Sequence, residues 1–167
     1  MLGKLWGKRS NREDSSSLDR LLEGPSARPT GNVPSNGGST GASPIAKFEP
    51  LSQTLVATIV ESALSGPNAQ RLVHDLAAQA IYTDESGNKR FRYRHIVLDL
   101  QNVEYLDSGC IGSMVELLTE IKKRGGHVAL ANANHNVECL FKLTRLDRLF
   151  PICADVMKAI EAVERRG

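Results

Sequence analysis

The chain has no run of apolar residues near the roughly 20 that a membrane-spanning helix needs. It has no C-x-x-C pair, and its three cysteines, Cys110, Cys139 and Cys153, cannot all pair with one another. Free thiols in a reducing compartment are the expectation, with a redox role open mainly for Cys110. Charge of one sign is also missing. The formal net charge is +2, and lysines and arginines are interspersed with acids, so no nucleic-acid footprint is expected. There is no Walker A pattern, and no G-x-G-x-x-G follows a strand. His74, His95, His127 and His135 lack metal-ligand spacing and read as surface or strand-end residues. Neither an enzyme, a metal nor a cofactor is therefore expected. The start, MLGKLWGKRSNRED, is basic but has no apolar core, so a secretory signal is not expected and the predicted location is cytoplasmic.

What is present divides in two. Residues 24–43 are almost entirely Gly, Pro, Ser, Thr, Asn and Ala, a composition that cannot offset its own ordering entropy. Residues 1–43 are therefore expected to form a disordered tail and linker, and 44–167 a single folded domain. Leu2, Leu5 and Trp6 among Lys4, Lys8 and Arg9 are either stray apolar residues in that tail or a short docking peptide for a partner or an anionic membrane.

In the folded part, 47–51 and 55–60 read as strands joined at Ser52-Gln53. Leu72, Val73, Leu76, Ala77 and Ala80 have helical spacing, with Pro67 in the first turn. Residues 83–94, TDESGNKRFRYR, read as a polar loop with a basic end, or in part as an extension of the next strand. Lys89, Arg90, Arg92 and Arg94 interleaved with Phe91 and Tyr93 could contact phosphate. They are also ordinary in a solvated loop.

Ile96 to Leu100 is apolar enough for a central strand. A helix follows Ser108, with Ile111, Met114, Val115, Leu118 and Ile121 expected to face inward. It ends at KKRGG, cations and then glycine. That string superficially suggests phosphate binding, but its position fits a solvated helix end. Val128 to Ala131 is the next strand. A helix starts at 134–136, with Val137, Leu140, Phe141 and Thr144 inward. Phe150 to Cys153 reads as an edge strand, and a last helix after Asp155 carries Val156, Ala159, Ile160 and Val163. This alternation implies an α/β sheet with crossover helices.

Asp107-Ser108 is the most informative pair. Both residue types cap helices, and either would stabilise one by about 1 kcal/mol. A helix start can also hold a phosphate, through free N–H groups and the macrodipole. Cap and switch are both open on the residues alone.

The strand IVLDLQNVEYLDS, the helix to KKRGG, the strand HVALAN and the segment VECLFKLTRLDRLFPI together resemble a STAS domain, the fold of anti-sigma factor antagonists and of sulphate-transporter cytoplasmic tails. The resemblance runs from about 45 to 163. It implies an α/β fold with a mixed central sheet of four to five strands and about four helices packed on it. It also implies a partner-switching regulator of transcription. Unphosphorylated, such a protein binds an anti-sigma factor, a serine kinase with a histidine-kinase-like ATPase fold. That partner phosphorylates the antagonist, and a serine phosphatase resets it. By register Asp107 takes the acidic position and Ser108 the phosphoacceptor. Asp107, Ser108, Gly109, Cys110 and Gly112 form the implied partner contact. Three positions depart from the family pattern. Gly109 stands where a second hydroxyl is common, Cys110 where Gly is common, and Arg145 where Gly often follows Leu-Thr. If the backbone is left-handed at Arg145, the side chain costs about 1 kcal/mol. The alternative is a non-phosphorylated STAS subunit or scaffold, in a lipid-transport ABC system or a signalling assembly.

Overall fold

The computed structural model describes residues 44–166. The expectations for residues 1–43, a linker and a docking peptide, lie outside the described residues. Strands β1 (Ala46–Leu51) and β2 (Thr54–Ile59) form an antiparallel hairpin, its turn made at Ser52 with φ +56°. Strand β3 (Ala63–Leu64) leads into helix α1 (Gly66–Ala80). Strands β4 (Ile81–Thr83) and β5 (Lys89–Phe91) follow, then β6 (His95–Asp99), β7 (Tyr105–Leu106) and helix α2 (Ser108–Lys123). Strand β8 (Val128–Ala131), helix α3 (His135–Leu143), a 3-10 turn (Leu146–Arg148), β9 (Ile152–Cys153) and helix α4 (Val156–Glu164) complete the order.

The main sheet has five strands in the order β1-β2-β6-β8-β9. Only β1 is antiparallel to its neighbour; β2, β6, β8 and β9 pair in parallel. Period-two alternation assigns the strand residues to two cores. Leu55, Ala57, Ile96, Leu98, Val128 and Leu130 pack with α1, α2 and α3 residues such as Leu76, Leu118 and Phe141. Val56, Val97, Ala129 and Ala131 face the other way, against Ala159, Ile160 and Val163 of α4. Both faces are covered, so the central strands are apolar on both sides. The mixed sheet with helices on it is the expected STAS-type architecture.

Several details differ from the sequence reading. Residues 83–94 are a loop only at 84–88 and 92–94, and they do not extend β6. They contribute to a separate two-stranded hairpin in which Ile81 pairs with Phe91 and Thr83 with Lys89. Its turn is tied by Asp84, whose carboxylate accepts from the backbone N–H groups of Ser86 and Asn88 and from Arg90 Nε at 2.9 Å. The inward face of α2 is rotated from the expected one. Cys110, Met114, Leu117, Leu118 and Ile121 are buried, whereas Ile111 and Val115 are half-buried. Thr144 is exposed rather than inward; its hydroxyl donates to the Leu140 carbonyl at 2.7 Å and closes the end of α3.

Arg145 is left-handed, with φ +58° and ψ +21°. An L side chain pays for that conformation and glycine does not. Arg145→Gly is expected to raise the stability to urea unfolding by about 1 kcal/mol; an unchanged or lower midpoint would show that the Arg145 side chain offsets its strain.

Candidate functional site

The site is built where β2 and β6 end. Buried Asp99, the last residue of β6, draws the ends of three strands together. It accepts from Thr58 Oγ1 at 3.3 Å, from Asn132 Nδ2 at 2.9 Å and from the backbone N–H of Gln101 at 3.2 Å. It is a strand-end structural carboxylate. The chain then turns through 101–104 and forms β7, which pairs in parallel with β3. Strands this short carry no period-two signal, which is why both escaped the sequence reading. Their pairing sets α1 and α2 starting side by side.

Asp107 joins these two helix starts. Its Oδ1 accepts from the Cys110 N–H at 2.7 Å, the N-cap bond of α2, and its Oδ2 accepts from the Gly66 N–H at 2.9 Å. Ser65, which precedes α1, makes no side-chain cap bond, so the acid 41 residues away does that work. Gly109 makes the closeness possible: a Cβ there would lie 3.1 Å from the Gly66 Cα and 3.3 Å from Asp107 Oδ1. Gly109, a departure from the family pattern in the sequence, is here the point of contact between two helix ends. Gly66 was not legible as a site residue, because its partner is remote in the chain.

The N–H groups of Cys110 and then Gly66 hold the Asp107 carboxyl below its ordinary range. A lowered pKa contributes stability above about pH 4, and that contribution is lost as pH falls through the lowered value. Asp107→Ala is therefore expected to lower the thermal midpoint near neutral pH by about 5 °C. The gap from the parent chain should narrow below pH 4. A gap of constant width across pH 2–7 would show that the carboxylate charge contributes nothing.

Ser108 occupies the first position of α2 and is exposed. Its hydroxyl makes no hydrogen bond among the described residues. The cap-or-switch ambiguity thus resolves on the structural side: Asp107 is the cap, and Ser108 has no structural duty. Gly112, one turn on, is exposed, with open space where a Cβ would stand. Cys110 points the other way. It is wholly buried, burial pushes its thiol up to about 12, and at neutral pH it is no thiolate. That corrects the redox expectation for Cys110. Its side chain does not reach the surface, so it neither obstructs nor makes an outside contact; the residue serves the site through its N–H. Tyr105, 60% exposed on β7, is a surface aromatic beside the site that was not singled out in the sequence. The turn of alternation between Tyr105 and buried Leu106 was the available signal.

Among the described residues no group of three or more His, Cys, Asp or Glu side chains could hold a metal, and no helix is long and apolar enough to cross a membrane. His95 is buried and stacked on His127 at 5.7 Å, accepting the His127 backbone N–H at Nδ1. Burial, followed by the neighbouring His127 and Arg94 charges, holds its pKa below the ordinary histidine range.

The family model for the STAS domain matches residues 49–159. The chain belongs to the STAS family. Its sequence is 40% identical over 83 residues to a candidate anti-sigma factor antagonist of Thermotoga maritima, an alignment covering 50% of this chain and 72% of that one. It is 30% identical over 81 residues to an anti-sigma F factor antagonist of Paenibacillus polymyxa, covering 48% and 68%. The crystal structure of a candidate antagonist from Thermotoga maritima superposes with a TM-score of 0.58 at 26% identity, over 72% of this chain and 95% of that one. The antagonist SpoIIAA in its unphosphorylated form gives 0.57 at 16% identity, over 72% and 96%, and shares the STAS fold. The STAS match begins within β1 and ends within α4; it includes the Asp107 cap and the exposed Ser108 and excludes residues 1–43.

Proposed function

We propose that this STAS protein is an anti-sigma factor antagonist controlled by reversible phosphorylation of Ser108. Residues 44–167 act as the switching domain and 1–43 as a tether. The domain is regulatory: it receives a phosphoryl group and catalyses nothing. Its partner is an anti-sigma factor that is also a serine kinase with a histidine-kinase-like ATPase fold. That kinase supplies ATP, Mg²⁺ and the base, and a serine phosphatase removes the phosphate. The partner contact comprises Asp107, Ser108, Gly109 and Gly112, with the Cys110 backbone behind them and Tyr105 as an aromatic anchor.

The observation that carries this reading is the exposed Ser108 hydroxyl, unbonded at a helix start that Asp107 already caps. A phosphate there adds about −1.5 to −2 charge at pH 7. The helix N-terminus tolerates it, so the domain need not refold. A packed interface does not tolerate it, because the charge must be desolvated. The named relatives support the same reading.

Intact-mass analysis and phosphopeptide mapping of the protein from its own cells test it. One phosphate on Ser108, absent in Ser108→Ala, is the expected result. An unmodified Ser108 under both growth and stress conditions would sink the switch and favour a scaffold.

A further inference from the structure

Two basic segments remain outside this function, the hairpin strand with its exit, 89–94, and the end of α2, 122–124. The fold brings them together. Arg94 N–H donates to the Gln53 carbonyl at 2.8 Å, and its Nε donates to the Gly125 carbonyl at 3.1 Å. The Arg124 guanidinium lies 4.2 Å from the centre of the Phe91 ring. Between them opens a cleft of about 380 Å³, lined by Gln53, Phe91, Arg92, Tyr93, Arg94 and Arg124 together with Ile121. That volume is within the range of small-molecule sites. Helix α2 has 16 residues, so its basic end is about 24 Å from Ser108.

The four arginines and Lys123 fall into two kinds. Arg90 and Lys123 are neutralised, by Asp84 and Glu120, each at 2.9 Å. The three arginines of the cleft are held by neutral groups instead. Arg92 lies over the Tyr82 ring at 5.8 Å, Arg94 is on a backbone carbonyl and Arg124 is on Phe91. Among the described residues none of the three has a carboxylate at ion-pair distance, and no lining residue is acidic. Arg94 and Arg124 thus hold two planar forks beside Gly125 and Phe91, Arg92 lines the same cleft from the hairpin, and all three are left without a counter-charge, beside apolar aromatic surface. Guanidinium forks match phosphoryl oxygens in a bidentate way, and fixing them beforehand reduces the ordering cost of binding.

We propose that this cleft binds a small organic phosphate. Its phosphoryl group sits among Arg92, Arg94 and Arg124, and its apolar part lies against Phe91 and Tyr93. The site is remote from Ser108 and does not depend on phosphorylation there.

The test is calorimetric titration of the full chain at low ionic strength with phenyl phosphate, with phenol and inorganic phosphate as controls. Saturable one-site binding with Kd below about 1 mM is expected for phenyl phosphate. Inorganic phosphate should bind more weakly, and phenol should not bind. Arg94→Gln with Arg124→Gln should weaken binding at least tenfold, and Ser108→Ala should leave it unchanged. Should the double variant unfold, exposed Arg92→Gln alone is expected to weaken binding severalfold, and Arg94→Lys with Arg124→Lys to lose the bidentate share. Absence of saturation, equal binding by the arginine variants and the parent, or equal affinity for inorganic and phenyl phosphate overturns the proposal.

Discussion

Under the proposed switch, a Ser108→Asp chain is expected to bind the proposed anti-sigma kinase several hundred-fold more weakly than the parent, a loss of about 3–4 kcal/mol. Ser108→Ala should bind within a factor of a few of the parent and fail to cycle. The asymmetry follows from the local geometry. The hydroxyl has no partner among the described residues, so removing it costs the fold nothing, whereas a carboxylate at the same exposed point must be stripped of water when the partner closes over it. Both variants should unfold at nearly the parent's temperature. Titration calorimetry against the purified kinase separates the cases. Equal affinity of Ser108→Asp and the parent would place the partner contact elsewhere on the domain.

Gly126→Ala should be the most destabilising of the small substitutions, at about 3 kcal/mol in urea unfolding. A Cβ at that position would stand 2.7 Å from Ile121 Cγ2 and also overlap the Arg94 carbonyl oxygen. The second obstacle is backbone, so no side-chain rotation relieves it, and the Arg94 segment must move. Gly125 beside it answers to a different need: φ of +74°, with room for a side chain apart from the Arg94 guanidinium at 3.6 Å. Gly125→Ala should cost about 1 kcal/mol. If the two substitutions prove equal, the close approach of Gly126 to Arg94 contributes little.

Much of this fold is legible in the chain because the signals that encode it are long. The apolar runs of β2, β6 and β8 and the 3-4 spacing of α1 exceed what chance supplies, and Leu72, Val73, Leu76, Ala77 and Ala80 are all buried as the spacing predicts. The hairpin of β4 and β5 was missed because its strands are three residues long and largely exposed, so no burial pattern marks them. The inward face of α2 was misjudged by about 50°, half a residue's rotation. Cys110 and Leu117 are buried, while β-branched Ile111 and Val115 are only partly covered, so apolar spacing alone misleads there. At the site, Asp107 and Ser108 were legible as a pair but not their division of labour. That division depends on the Gly66 N–H, 41 residues away, which occupies the second carboxylate oxygen. Contacts of that span exist only once the sheet has aligned the two helix starts. The cleft was missed for a related reason: its two basic halves lie some thirty residues apart, and each alone looks like solvated surface.

The separation of duties between Asp107 and Ser108 bears on how such a domain can evolve. Under the proposed switch, an architecture that leans on Asp107 and asks nothing of Ser108 lets a single codon change at 108 abolish regulation while leaving the scaffold as stable as before. The reverse change restores it just as cheaply. Signalling and static versions of the same module are therefore one mutational step apart, with no unstable intermediate between them. A change at Asp107 loosens two helices at once and meets selection against misfolding whatever the protein is used for.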